Sequence, residues 1–293
     1  MQEGTVGVAG GETWYRVTGD PGSGTPLVVL HGGPGSTHEY LLTLAALAGD
    51  RRAVVHYDQV GNGRSSHFPG RAAEFWTVQL FLDELDAILD ALGISGAYHL
   101  LGQSWGGMLA AEHAVRRPAG LRGLVLADSP ASIPTWVAEA DRLRKELPPE
   151  VQRVLDEHEE AGTFDSAAYA AASQVYYDRH VCRIVPNPPE VAASFSAIET
   201  DPTVYHAMWG PTEFHCTGTL GSWDITERLP AIEVPTLVVS GRYDEATPLV
   251  VSPLLQHIPD VRGVVFENSS HLPHVEEAER YLRVVGAFLD EHD

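Results

Sequence analysis

The sequence reads Gly102-Gln103-Ser104-Trp105-Gly106-Gly107 between a predicted strand and a predicted helix. A serine in that position fits the G-x-S-x-G nucleophile elbow, a turn so tight that the residues two before and two after the serine must lack side chains. Gly102 and Gly106 meet this demand. Such a turn lifts the Ser104 hydroxyl out of the sheet and leaves the backbone N–H of Trp105 free to face an oxyanion.

Short apolar runs alternate with longer amphipathic stretches on both sides of this turn. The apolar runs predict buried strands at Leu27–Leu30, Ala53–Tyr57, Tyr98–Leu101, Leu124–Ala127, Thr236–Ser240 and Gly263–Phe266. Helical spacing predicts helices over about 74–92, 104–117 and 276–289, and residues 5–17 predict an antiparallel edge hairpin. The alternation indicates an α/β protein, with a mostly parallel sheet and helices on both faces.

The alternation stops between residues 130 and 229, where no clear strand run occurs. Residues 139–147 and 151–160 predict polar, exposed helices. We therefore predict a core built from residues 1–129 and 230–293, with a helical cap domain inserted at 130–229. This is the architecture of the α/β-hydrolase fold.

A serine hydroxyl is a poor nucleophile without a base, and His271 is the best candidate among 14 histidines. It follows the last predicted strand and precedes the last predicted helix, which agrees with the chain order Ser, acid, His. His274 is the second candidate. The acid should follow a strand between Ser104 and His271, and Asp244 does so. Asp128, after an earlier strand, is a rival, and we favour Asp244.

A glycine-rich stretch, His31-Gly32-Gly33-Pro34-Gly35, follows the first predicted core strand. A turn of this kind lets a backbone N–H face the nucleophile, so the N–H groups of Gly33 and Trp105 are predicted to form an oxyanion hole. The stretch matches neither the phosphate-binding P-loop nor the dinucleotide fingerprint. We expect no cofactor, and no metal site, because zinc-binding spacing such as H-E-x-x-H is missing from the sequence.

The 40 acidic and 19 basic residues give a net charge of −21. This excludes nucleic acid and acidic membrane surfaces as expected partners, since both need clustered basic residues, whereas a cationic substrate would be attracted. The two cysteines, Cys182 and Cys216, are too few for a disulfide framework. With neither a signal peptide nor a long apolar run in the sequence, we expect a cytoplasmic protein.

Five segments together resemble the proline iminopeptidase (prolyl aminopeptidase) family of serine peptidases, which includes the tricorn-interacting aminopeptidases. They are residues 31–35, 58–65 (Asp-Gln-Val-Gly-Asn-Gly-Arg-Ser), 102–107, 241–245 (Gly-Arg-Tyr-Asp-Glu) and 269–271 (Ser-Ser-His). Two cap stretches, 209–214 (Trp-Gly-Pro-Thr-Glu-Phe) and 223–226 (Trp-Asp-Ile-Thr), also match. The resemblance covers nearly the whole chain.

The resemblance implies cleavage of an amide bond after a free N-terminal residue, proline or a small or apolar one. It assigns recognition of the substrate's α-ammonium to Glu213 from the cap and to Glu245 beside the acid. Two carboxylates around one cation also fit the physical demand for charge-assisted partners in a partly dry cleft. In this family the cap lines the subsite for the first residue, and Trp136, Tyr177 and Trp209 are the candidates.

Other functions remain open at this point. One is a biosynthetic amide hydrolase that removes an aminoacyl group from a small molecule or from an intermediate bound to a carrier protein. A second is a general esterase, which would have no use for Glu213 and Glu245. A third is a binding module that has lost catalysis, which the complete set of Ser104, Asp244 and His271 argues against.

Overall fold

Eight strands form one sheet in the computed structural model, which describes residues 1–8 and 10–293. The strands are β1 (Gln2–Val8), β2 (Gly11–Thr18), β3 (Leu27–Leu30), β4 (Val54–Tyr57), β5 (Tyr98–Gln103), β6 (Leu121–Ala127), β7 (Thr236–Gly241) and β8 (Val261–Phe266). Their order is β1-β2-β4-β3-β5-β6-β7-β8. The pairs β1–β2 and β2–β4 are antiparallel and all the others are parallel. The predicted sheet and edge hairpin are confirmed.

The helices are α1 (Val78–Ala91), α2 (Trp105–Ala114), α3 (Ile133–Arg144), α4 (Pro149–Ala161), α5 (Ala167–His180), α6 (Pro189–Thr200), α7 (Thr203–Met208), α8 (Pro248–His257), α9 (Pro273–Glu276) and α10 (Ala278–Glu291). Short 3-10 helices occupy Glu39–Leu47, Ala73–Phe75 and Thr226–Ala231. The helix predicted from residue 74 begins only at Val78, because the side chain of Thr77 caps it by accepting the Leu80 N–H at 3.1 Å.

The central strands are buried on both faces, which explains why they are continuous apolar runs in the sequence. Along β3, Val28 packs with one cluster that includes Phe81 of α1, whereas Val29 packs with a second that includes Val285 of α10. The sheet is therefore covered by helices on both sides, as predicted. In the described residues, no helix combines the length and apolar character needed to cross a membrane.

Helices α3 to α7 occupy residues 133–208, within the stretch predicted to be a cap, and the division into two domains remains a prediction. The helix predicted to be exposed over 139–147 is instead buried along one face in the structure, and its bounds differ from the predicted ones. It starts at Ile133, and Trp136, Ala140 and Leu143 on its inner face are buried. Ile133 and Trp136, which precede residue 139, share this buried face with Ala140 and Leu143, so residues 139–147 taken alone look more polar than the whole helix.

Candidate active site

Ser104 occupies the tight turn between β5 and α2. Its φ of 56° and ψ of −123° lie in a region that L-residues rarely adopt, and such strain clusters at functional sites. A Cβ at Gly102 would lie 2.0 Å from the backbone oxygen of Gly106, and a Cβ at Gly106 would lie 2.2 Å from that of Leu30. Both glycines are thus required by the close approach of α2 to the strands below it.

His271 and Asp244 form a buried pair next to this turn. His271 Nδ1 donates to Asp244 Oδ1 at 2.7 Å, and the backbone N–H of Ala246 donates to the same oxygen at 2.8 Å. Burial disfavours the charged imidazole, but the negative charges of Asp244 and, farther away, Glu213 outweigh it and raise the pKa of His271. The imidazole is therefore oriented and made more basic by Asp244.

Ser104 and His271 line the same cavity. In the described part of the chain, the side chains of Ser104 and His271 are not hydrogen-bonded to each other. Such contacts between nucleophile and base are often long in the absence of substrate and shorten when it binds. The shared cavity gives both groups access to one reacting carbonyl.

The glycine-rich stretch after β3 also borders this cavity, through Gly33. Gly33 has a φ of +108°, and a Cβ there would come within 2.6 Å of the Gly35 nitrogen. Only glycine permits this turn, which exposes backbone rather than a side chain to the Ser104 hydroxyl. The backbone N–H of Trp105 belongs to the first residue of α2, directly after Ser104.

Gln59 connects the two backbone segments predicted to form the oxyanion hole. Its side-chain amide donates to the His31 carbonyl at 2.9 Å and accepts from the Trp105 indole N–H at 2.8 Å. Its backbone N–H donates to His31 Nε2 at 2.9 Å. Burial lowers the pKa of His31, which keeps this ring nitrogen unprotonated and able to accept. The matching segment 58–65 thus has a positioning role that its sequence does not reveal.

Glu213 and Glu245 lie near one another beside the pair formed by His271 and Asp244. Glu213 lines the cavity and accepts a hydrogen bond from the Tyr205 hydroxyl at 2.8 Å. Glu245 is fully buried, and neither of its carboxyl oxygens has a hydrogen-bond partner in the described residues. It lies behind the cavity surface rather than on it.

The two glutamates perturb each other. Burial raises the pKa of Glu213, more than the nearby His271 and the Tyr205 hydroxyl lower it. Burial, followed by the negative charges of Glu213 and Asp244, raises the pKa of Glu245 well above its ordinary range. A concentration of acidic groups with raised pKa values is the electrostatic environment that a cationic ligand would stabilise.

The aromatic residues predicted to line the substrate pocket lie behind the cavity wall in the described structure. Trp136 donates its indole N–H to the Glu213 carbonyl at 3.1 Å and packs edge-on against both Trp209 and His271. Tyr177 packs near Phe214. Their contact with substrate stays a prediction. The cavity wall is instead formed by residues not singled out from the sequence, namely Ser36, Tyr40, Gln103, Val181, Val191, Ser194, Phe195, Ile198 and Leu272.

Gln103 and Tyr40 have a further role that the sequence did not suggest. The Tyr40 hydroxyl accepts from the Gly32 N–H at 2.7 Å and donates to Gln103 Oε1 at 2.6 Å. The Gln103 amide donates to the His271 carbonyl at 3.0 Å. These bonds tie the glycine-rich turn, the elbow and the histidine loop together, and only tertiary structure reveals them.

The two rival residues lie close to the triad candidates. His274 is fully buried and donates from Nε2 to the Tyr40 carbonyl at 3.1 Å. Burial lowers its pKa to about 3, so it is a neutral structural residue. Asp128 is buried against Asp244. Asp244, not Asp128, contacts the imidazole of His271.

Among residues 1–8 and 10–293, one group of potential metal ligands lies outside the cavity. Ligand atoms of His38, Glu39 and Asp58 lie within 4.8 Å of one another. Asp58 already accepts from the His38 ring at 2.8 Å, from the His38 backbone at 2.9 Å and from the Arg64 backbone at 2.9 Å. These bonds satisfy the carboxylate without an ion, so the group holds the segment 58–65 in place.

The fold and the arrangement around Ser104 define the chain as an α/β hydrolase. A family model described as alpha/beta hydrolase fold matches residues 25–278. A proline iminopeptidase of Heyndrickxia coagulans is 38% identical over 288 residues, covering 98% of both chains. This chain belongs to the proline iminopeptidase family, and as a member it is a serine aminopeptidase.

Two solved structures are similar over almost the whole chain. The crystal structure of VinJ has 56% sequence identity and a TM-score of 0.98, covering 100% of this chain and 99% of that one. The crystal structure of proline iminopeptidase from Mycobacterium smegmatis has 50% identity and a TM-score of 0.92, covering 99% and 98%. These coverages mean that the similarity extends over residues 130–229, the stretch predicted to form the cap.

Proposed function

We propose that this enzyme cleaves the amide bond after a free N-terminal amino acid, proline or a small apolar residue, through an acyl-Ser104 intermediate. The observation that carries the proposal is the pair Glu213 and Glu245, which brings two acidic groups next to the Ser104 cavity. Relatives named proline iminopeptidase support the same substrate class.

The proposed reaction begins with attack of Ser104 Oγ on the substrate carbonyl carbon while His271 Nε2 accepts the hydroxyl proton. Asp244 stabilises the imidazolium that forms, through the bond to Nδ1. The backbone N–H groups of Gly33 and Trp105 stabilise the oxyanion. His271 then protonates the leaving amine, and water, activated by the same histidine, releases the amino acid.

Recognition of the free amine follows from charge. An ammonium group in the cavity would contact Glu213 directly, with the charge of Glu245 behind it, and would stabilise both ionised carboxylates and offset the cost of their burial. A blocked amine carries no charge and would leave two acidic groups without a partner. The glutamates therefore select the N-terminus of a peptide, or an aminoacylated small molecule, and place its first carbonyl at Ser104.

The proposed setting is the cytoplasm. Cys182 is buried and Cys216 half-buried, and both are free thiols. Free thiols persist where the cell keeps cysteine reduced.

The proposal is tested by hydrolysis of Pro-, Ala- and Leu-p-nitroanilide beside a simple p-nitrophenyl ester. We expect kcat/KM to be highest for one of the aminoacyl anilides, with an aminoacyl adduct on Ser104 detectable by mass spectrometry after rapid acid quench. An enzyme that hydrolyses the ester but none of the anilides would contradict the proposal.

A further inference from the structure

Asp128 is a buried acid that the proposed mechanism does not use. It follows β6 directly, and its backbone N–H donates to the Val239 carbonyl of the adjacent β7 at 2.8 Å. Its φ of 53° is in the left-handed region, which a non-glycine residue adopts only when its surroundings require it. The side chain is fully buried. The protein therefore maintains an unfavourable backbone conformation and a buried polar group at one position.

The side chain next to the Asp128 carboxyl is another carboxyl, that of Asp244, which follows the adjacent parallel strand. Asp128 lies within hydrogen-bonding reach of Asp244. Both oxygens of Asp128 and Oδ2 of Asp244 are buried and accept no N–H or O–H hydrogen bond in the part of the chain that is described. Two carboxylates in contact without a cation repel each other strongly, whereas a single shared proton turns the contact into a hydrogen bond.

The remaining contacts decide which acid carries that proton. Asp244 Oδ1 accepts from His271 Nδ1 and from the Ala246 N–H, so two donors stabilise a negative charge there. Asp128 has no comparable set of donors. The charge is thus best placed on Asp244 and the proton on Asp128.

We propose that Asp128 is a neutral positioning residue, whose carboxylic O–H donates to Oδ2 of Asp244 and holds that carboxylate in line with His271. The proposal depends on the assignment of Asp244 as the acid of the triad. It gives Asp244 a third donor and fixes the plane of its carboxylate, which orients the imidazole that must reach Ser104.

The electrostatic surroundings agree with a neutral Asp128. Burial, followed by the negative charge of Asp244 and then of Glu276, raises its pKa well above the ordinary range. Tyr40 and Tyr281 also lie near it, and burial raises the pKa of both, so they remain neutral. His271, which can carry a positive charge, bonds to Asp244 and not to Asp128.

The experiment compares Asp128→Ala, Asp128→Asn and Asp244→Asn in the full chain. We expect Asp128→Ala to lower kcat by about tenfold to a hundredfold with little change in KM, because Asp244 loses a hydrogen bond to its charge. Asparagine also offers a donor and no charge, so Asp128→Asn should restore kcat to within about threefold of the wild type. Asp244→Asn should cost far more, on the order of ten-thousandfold.

The pH profile and the infrared spectrum separate this role from a merely structural one. Removing a neutral group does not alter the field at His271, so the acid limb of kcat/KM in Asp128→Asn should coincide with that of the wild type. The infrared difference spectrum between wild type and Asp128→Asn at neutral pH should contain the C=O stretch of one protonated, buried carboxylic acid, and the same difference should appear in the Ser104→Ala background. The difference cancels the bands of Glu84 and Glu245, whose pKa values burial also raises.

Three results would overturn the proposal. An ionised Asp128 would raise the pKa of His271, so its replacement by Asn would move the acid limb to lower pH, and the C=O band would be missing from the infrared difference between wild type and Asp128→Asn. Full activity in Asp128→Ala would show that Asp128 does not position the Asp244 carboxylate. A loss in Asp128→Asn as large as in Asp244→Asn would make Asp128 the acid itself.

The readouts are also independent of the proposed substrate class. The infrared band is measured without substrate, and the rate at which a fluorophosphonate labels Ser104 can replace kcat. If no aminoacyl anilide is cleaved, the proposed function fails while labelling and infrared measurements still decide the role of Asp128.

Discussion

The sheet edge and the cap helices contribute to the same cavity in different ways. Ser104 follows β5, Asp244 follows β7 and His271 follows β8, so the ends of parallel strands bring the reactive groups together. The cap contributes Glu213 from an irregular segment and an apolar wall from α6. The strand ends thus position the reactive groups, whereas the side chains of the cap determine which substrates enter the cavity. Changes at the sheet edge should affect turnover, and changes in the cap should affect substrate choice.

The largest expected effect is at the sheet edge. Ser104→Ala removes the proposed nucleophile, and kcat should fall by at least about a thousandfold for every substrate, whether its amine is free or blocked. Steady-state kinetics on anilides and esters measure this. Ser252→Ala, on α8, is a matched control and should be indistinguishable from the wild type. Anilide cleavage that survives in Ser104→Ala would mean that another residue attacks the carbonyl.

Glu213→Gln should produce a smaller and selective effect. We expect kcat/KM for free-amine anilides to fall by about thirtyfold to a hundredfold, since one charge-assisted contact is lost, while ester hydrolysis changes little. The negative charge of Glu213 helps to raise the pKa of His271 above its ordinary value of 6.5. His271 must be neutral to accept a proton, so the acid limb of ester hydrolysis should move to lower pH in this variant.

The control for this change is Glu150→Gln, which alters an exposed glutamate in the first turn of α4 and should affect neither measurement. If Glu213→Gln lowers ester and anilide hydrolysis equally, Glu213 supports the triad rather than the amine. That result would mean that the sheet edge and the cap do not have separate roles in catalysis and in substrate recognition.

Gln59→Leu should lower turnover without changing substrate binding, and its effect should be smaller than that of Glu213→Gln. The leucine nearly conserves volume but leaves the Trp105 indole N–H and the His31 carbonyl without their bonds to the Gln59 side chain. We expect kcat to fall by about tenfold with KM almost unchanged, because the oxyanion donors are less well held. Gln256→Leu, on the exposed side of α8, is the control. A change confined to KM would place the effect in substrate binding instead.

The smallest expected effect concerns how the cap is attached. His67 Nδ1, in the core, contacts Asp201 Oδ2, in the cap, at 2.5 Å. Partial burial lowers the pKa of His67, but the bond to Asp201 outweighs it, so the pKa is raised. A raised pKa stabilises the folded state below the unfolded pKa, and this stabilisation is lost as pH rises through the folded value.

His67→Gln should therefore lower the free energy of unfolding at about pH 5.5. The loss should be no more than about 0.5 kcal/mol, because the pair is partly exposed. At about pH 9 the imidazole is neutral in both states, and the free energy of unfolding should not change. Chemical denaturation at the two pH values measures the difference. An equal loss at both would mean that the ring contributes by packing and not by charge.

The two regions also differ in how far their structure follows from sequence. Leu27–Leu30 was predicted to the residue, because a strand buried on both faces is apolar without interruption. The elbow could be predicted because Gly102 and Gly106 are a steric requirement of a single turn. In each case a short local segment contains the whole reason for the structure.

The cavity wall depends on contacts between distant parts of the chain. Ser194 bonds to the Thr37 hydroxyl at 3.0 Å, 157 residues away, and this docks α6 over the cavity. The sequence of α6 contains apolar residues without indicating that Phe195 and Ile198 face Ser104. The sequence suggests Trp136 and Trp209 as an aromatic pocket wall, but aromatic side chains in a helical region equally suit packing against each other, as these two do. Tertiary contact, and not residue type, decides which side chains line the wall.

The most direct test of the division between chemistry and recognition is the ratio of kcat/KM for prolyl p-nitroanilide with a free and with an acetylated amine. We predict that the wild type prefers the free amine by at least about a hundredfold, and that Glu213→Gln reduces this preference by about tenfold or more. Equal rates on the two substrates in the wild type would show that the buried acids do not bind the amine, and would contradict the account.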